Sequence, residues 1–202
     1  MRERKPSGAP PPRSALLAAL LLAGCALAHP AVASEREQGE DAAGFKVFSE
    51  RVDEYVQLHK SVEATLPRLK PTDLPEMITA HQQALARKIR ETRLHAHRGD
   101  VFTHQASEAF RHAIRSEFQG PHAPNARATI QQGSPLKTVR LRLNQAYPEG
   151  VPYTTVPPTL LLKFPKLPAE VAYQIVGRDL VLLDVKANLV VDLIPEAITI
   201  EP

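Results

Sequence analysis

AYQIVGRDLVLLDVKANLVVDL, residues 172–193, is the stretch that decides the fold. It holds three β-rich runs, Ala172 to Val176, Leu180 to Leu183 and Leu189 to Leu193. The two-residue turn Gly177-Arg178 and the loop Val185 to Asn188 separate them, which reads as an antiparallel meander. Gly177 suits a turn position with positive φ. The middle run, Leu180-Val181-Leu182-Leu183, is apolar at every position, so it needs cover on both faces, and helices upstream are the candidates to supply it.

Working back from the meander, Pro148, Pro152, Pro157, Pro158, Pro165 and Pro168 make residues 147–168 too proline-dense for a central strand. Thr159 to Phe164 has room for one or two helical turns. The strip Val156 to Leu162 reads either as an outward docking element or as a proline-started turn burying Leu160, Leu161 and Phe164. Burial is favoured because leucine-rich strips are seldom left in water. Val139, Leu141 and Leu143 alternate with Arg140, Arg142 and Asn144, the pattern of a half-buried strand. Residues 121–136, rich in Pro, Gly, Gln and Ala, read as a linker with space for a short helix around Asn125 to Gln131.

Residues 45–120 have helical grammar. Phe45, Phe48, Val52, Tyr55, His59, Val62, Leu66 and Leu69 recur at three- and four-residue steps, until Pro67 and Pro71 end the pattern. A second helix starts near Thr72 or Asp73, with Ile78, His81, Leu85, Ile89, Thr92 and Ala96 on one side and Gly99 as its stop. A third spans about Thr103 to Gln119 with Ala106, Phe110, Ala113, Ile114 and Phe118 inward, and Gly120-Pro121 terminates it. The expectation is an α+β chain: an N-terminal three-helix antiparallel bundle, then the Pro-rich and β-meander region over 137–202.

Ahead of the helices, Arg2, Arg4, Lys5 and Arg13 precede the apolar run Ala15 to Ala28, which Gly24 and His29-Pro30 keep shorter than a membrane span. This is the pattern of an export signal. Two cleavage routes compete. Ala31-Val32-Ala33 suits a cut after Ala33, which makes residues 1–33 the signal. Leu22-Ala23-Gly24-Cys25 resembles a lipobox, with a cut after Gly24 and an acyl chain on Cys25. Residues 34–44, acidic and containing Gly and Ala, read as a flexible lead. With Cys25 the single cysteine, the mature chain has no internal disulfide.

The leader also accounts for the charge. The whole sequence carries 25 basic and 22 acidic residues, but without those four basic residues and Glu3 the balance is 21 to 21. A nucleic-acid partner is therefore not expected. Arg87, Lys88, Arg90, Arg93 and Arg98 against Glu91 form a local basic run, suited to an anionic surface or an acidic partner unless it is simply a solvated helix face.

The runs Ala80 to Ala86 with Lys88-Ile89-Arg90, Gly99 to Thr103, Tyr173 to Leu180 and Asp184 to Asp192 resemble an uncharacterised family of exported bacterial proteins. That resemblance implies export and no activity. The closing hairpin is similar to the C-terminal module of small periplasmic proteins, one branch of which is linked to nickel and cobalt homeostasis.

Besides His59 on the first stripe, His81, His95, His97, His104, His112 and His122 lie in or just after the helical half. His95 and His97 would need to leave a helix to share a metal, with His104 or Asp100 as third ligand, so no metal site is assigned. Asp184 and Asp192, with Asn188 between, flank a hairpin loop, where aspartates commonly fix turn geometry. No catalytic residue is assigned to them. G-x-S-x-G, H-E-x-x-H, P-loop and dinucleotide motifs are absent and no cofactor is implied. The expectation is a non-catalytic envelope protein, periplasmic or outer-membrane-associated. It would bind a partner protein or surface, and touch membrane only through Cys25. A metal-buffering protein is the alternative, and a hydrolase with an unmarked site is the remoter one.

Overall fold

The structure, a computed structural model, describes residues 30–133, 140–152 and 154–199. Among the described residues five helices come first: α1 (Pro30–Glu63), α2 (Pro75–Thr92), α3 (His104–Gln119), α4 (Ala123–Gly133) and α5 (Pro158–Leu161). Strands β1 (Val171–Val176), β2 (Asp179–Asp184) and β3 (Leu189–Ile194) follow as one antiparallel sheet in that order. The chain is α+β. Cys25 and Gly24 lie outside the described residues, and Ala33 falls in the first turn of α1.

The meander forms where its turns dictate. Gly177, at φ +62°, carries the β1–β2 turn, and Asn188, at φ +48°, leads into β3. Leu182 pairs with Asp192 but Leu183 with Val190, which leaves Val191 as a bulge residue in β3. That extra residue lets Val191 and Asp192 both face the helices. Leu180 and Leu182 of β2 point into the main core, while Val181 and Leu183 pack in a second core with Tyr147 and the half-buried Leu141, Leu143 and Val151. Cover for the second face thus comes from the irregular segment before the prolines, not from the helices.

Residues 140–143 are not a strand, and Val139 lies outside the described residues. The alternation there serves packing without pairing. The next residues do pair along β3: the N–H of Asn144 donates to the Val190 carbonyl, Val190 N–H to Gln145 and Tyr147 N–H to Asn188. On the far side Thr154 exchanges both backbone hydrogen bonds with Ile175 of β1. Neither sheet edge is left bare.

The stripe read on the first helix holds from Phe48 to Val62, with Phe48, Val52, Tyr55, His59 and Val62 buried, whereas Leu66 and Leu69 lie beyond the helix end at Glu63 and are half-buried. The lead over 34–44 is a different matter, since it is helix, continuous with the rest of α1. Tertiary contact explains this. A Cβ on Gly44 would lie 2.7 Å from the Gln105 carbonyl and 2.8 Å from the Ala109 Cβ, so glycine here lets α1 and α3 approach closely. Asp41 and Glu37 of the same stretch pair with His112 of α3. Gly44→Ala is expected to cost about 1–3 kcal/mol through overpacking, read as a lowered urea midpoint.

α3 matches its expected span and inward residues, and the Thr103 hydroxyl accepts the Ala106 N–H as its cap. Within 121–136 the short helix with room around Asn125 to Gln131 is present and longer, as α4, because Ala123, Ala126 and Ile130 form a stripe that buries; residues 134–136 lie outside the described residues. In the proline-rich strip Leu160 and Phe164 are buried as expected. Leu161 is not, and Leu162 is 87% exposed. Phe110 centres an aromatic cluster with Phe45, Phe48, Phe102, Phe164 and Tyr173, at centroid distances of 4.6–5.7 Å, which binds α1, α3 and β1 together.

α2 departs most from expectation. It starts after Leu74 with no side-chain cap, and Thr72 accepts only the Leu74 N–H. It stops at Thr92, well before Gly99. Leu85, Ala86 and Ile89 are buried, but residues 73–80 are all exposed, so its first turns project from the body.

Candidate functional site

Two aspartates from the apolar sheet are completely buried, and the structure sends them to different partners. Asp184, at the end of β2, uses Oδ2 to accept the Tyr55 hydroxyl at 2.7 Å and meets His59 Nδ1 at 2.6 Å. Its Oδ1 accepts the Ala187 N–H at 2.8 Å, so the expected turn role is also met. Tyr55 and His59 are four apart on α1 and share one face. Burial, then the nearby Asp184 charge, pushes the Tyr55 phenol far above its ordinary value, which keeps it a hydrogen-bond donor.

Asp192 faces the loop between α2 and α3. Its Oδ2 accepts the N–H groups of Gly99, Val101 and Phe102 at 3.1, 2.9 and 2.8 Å, and Oδ1 accepts that of Leu193 at 2.8 Å. Burial pushes the carboxyl above its ordinary value, against the pull of these donors. Beside it, the Arg93 guanidinium donates to the carbonyl of the bulge residue Val191, sits 5.1 Å from the Tyr55 ring centroid and pairs with Asp100 at 3.7 Å. One member of the basic run is therefore drawn inward, and the run does not form a single face. Arg87 and Lys88 are exposed.

The His59–Asp184 pair has the geometry of a base and its orienting carboxylate. His59 Nε2 has no hydrogen-bond partner and stands 3.6 Å from Glu63 Oε2, which is itself engaged by Lys186. The imidazole is nevertheless wholly buried, and among the described residues no hydroxyl or thiol is hydrogen-bonded to it. What the arrangement does is lock α1 to β2. Sequence reading placed His59 only on an apolar stripe; the available signal was a Tyr and a His at four-residue spacing on that stripe, with an Asp ending an apolar strand.

The expected metal candidates are not assembled. His95 and His97 lie on the exposed turns after α2, whereas His104 lies in the first turn of α3. His104 lines a cleft of about 500 Å³ with Glu37, Asp41, Glu108 and His112. Among the described residues no group of three or more His, Cys, Asp or Glu side chains is placed to hold a metal ion.

A broad concavity lies where the end of α1 meets the projecting part of α2. It measures about 890 Å³ and is open to solvent, with Leu66, Leu69, Ile78 and Val185 among its apolar lining. A further lobe reaches Met77 and Ala84. His81, expected at the core edge, is half-buried on its wall. Met77 is 50% and Ile78 49% exposed at this mouth. Comparisons with protein-family models, with curated proteins and with solved structures found no match to this chain.

Proposed function

We propose that this chain is an exported cell-envelope protein that acts by binding a partner protein, and that the groove between the end of α1 and the first turns of α2 receives it. The observation that carries the reading is the division of one amphipathic stripe. Leu85 and Ile89 of α2 are covered by the chain's own core, while Ile78, on the same stripe, is half exposed beside a groove, with Met77 half exposed on its flank. Exposed apolar side chains grouped at a concavity mark an interaction site more often than scattered ones do. The buried His59 and Asp184 serve as a tether between elements, which supports binding over catalysis. Export rests on the leader over residues 1–33, and the intact mass of the exported chain separates a start at Ser34 from an acylated Cys25.

Site-specific photo-crosslinking tests the binding. A photoreactive amino acid at Met77, in the full chain expressed with its leader in a bacterium with two membranes, is expected to give a discrete protein adduct. The same probe at Gln83, exposed on another part of α2, is expected to give none. No adduct from Met77, or the same adduct from both positions, overturns the reading.

A further inference from the structure

We infer that the partner segment is an amphipathic helix with an acidic polar face, an inference that rests on the binding role of the groove. Charge supplies the first argument. The charged side chains lining the groove and its lobe are Lys60, Arg68, Lys70 and Lys186 against Glu63 alone. Lys186 engages both oxygens of Glu63, at 3.0 and 3.1 Å, so the one acid is already neutralised. Lys60 pairs with Glu170 at 3.5 Å. Arg68 and Lys70 make no ion pair among the described residues, and both are exposed. Asp73 and Glu76, at the start of α2, lie outside the lining. Two cations on the rim of an apolar floor suit a segment whose apolar residues insert while carboxylates meet the rim.

The shape of the fold supplies the second argument. An extended peptide would bind by adding a strand to a sheet edge, but β1 is already paired with Thr154 and β3 with residues 144–147. The groove is instead lined by helix and turn side chains. Its floor residues Leu66 and Leu69 are half-buried below the projecting turns of α2, where a flat bilayer surface does not reach. Seated in the groove, a partner helix would extend the buried stripe of Leu85 and Ile89 outward over Ile78, with Met77 at its flank.

The test uses fluorescence anisotropy with two labelled model peptides, each an amphipathic helix with a leucine face and either a glutamate or a lysine polar face. The glutamate peptide is expected to bind the mature chain and the lysine peptide not to. Binding should weaken about tenfold in the double variant Arg68→Glu/Lys70→Glu and fall again as salt is raised to about 0.5 M. Ile78→Asp should abolish it. All three positions are exposed, so these variants keep the wild-type melting temperature, which is measured alongside. The inference is overturned if both peptides bind alike, if neither binds, or if the double variant retains full affinity. It is also overturned if phosphatidylglycerol vesicles, and not the glutamate peptide, are the probe that the double variant loses. An adduct from Met77 together with no binding of the glutamate peptide would leave the groove as a docking site and reject its acidic partner.

Discussion

Asp192→Ala is expected to lower unfolding free energy by about 5 kcal/mol, a large share of the roughly 5–15 kcal/mol that holds a domain folded. The substitution removes the acceptor for four backbone N–H groups, those of Gly99, Val101, Phe102 and Leu193, at a position with no exposure. Each buried donor left unpaired costs about 1–3 kcal/mol, and the lost carboxylate volume adds a small cavity. Asp192→Asn should cost less, because one amide oxygen can still serve the three donors now held by Oδ2. The ionised carboxyl is also disfavoured by burial, so its folded pKa is raised. A raised acid contributes most below its unfolded pKa and loses that contribution as pH climbs through the folded value. The difference between wild type and Asp192→Asn should therefore narrow from acid towards neutral pH. Urea unfolding at several pH values measures both effects, and a gap that widens towards neutral pH contradicts the assignment.

The second large effect is expected at Asp184. Asp184→Ala orphans the Tyr55 hydroxyl, His59 Nδ1 and the Ala187 N–H together, at an expected cost of about 4 kcal/mol. Tyr55→Phe, which removes one neutral donor and keeps the ring under Arg93, should cost only about 1 kcal/mol. Combining Asp184→Leu with Tyr55→Phe and His59→Leu should recover part of the loss, because only the Ala187 N–H is then left unpaired. If the triple variant is less stable than Asp184→Ala alone, the network contributes more than its unpaired groups explain. Circular dichroism melts at fixed pH read the series directly.

How much was legible depended on how far apart the deciding residues lie. α3 was readable in full, since Thr103, Gly120 and the stripe from Ala106 to Phe118 sit inside one short window. The meander was readable for the same reason, with Gly177 and Asn188 marking its turns. The helical character of residues 34–44 was not, because Gly39 and Gly44 read as loop unless it is known that α3 packs against Gly44. Of α4 only a short helix around Asn125 to Gln131 was legible, because Pro, Gly and Gln composition obscured its ends and the stripe of Ala123, Ala126 and Ile130 is sparse.

The sequence by itself determined the α+β order, the inward faces of α1 and α3 and the need for the middle strand to be covered twice, because periodicity and turn chemistry act over a few residues. Tertiary structure alone decided which polar groups meet. His59 and Asp184 are 125 positions apart, and Gly99 and Asp192 are 93. It also decided which half of the α2 stripe stays in water. Leu85 and Ile78 look alike in the sequence, and only the position of the other elements covers one and leaves the other at the groove.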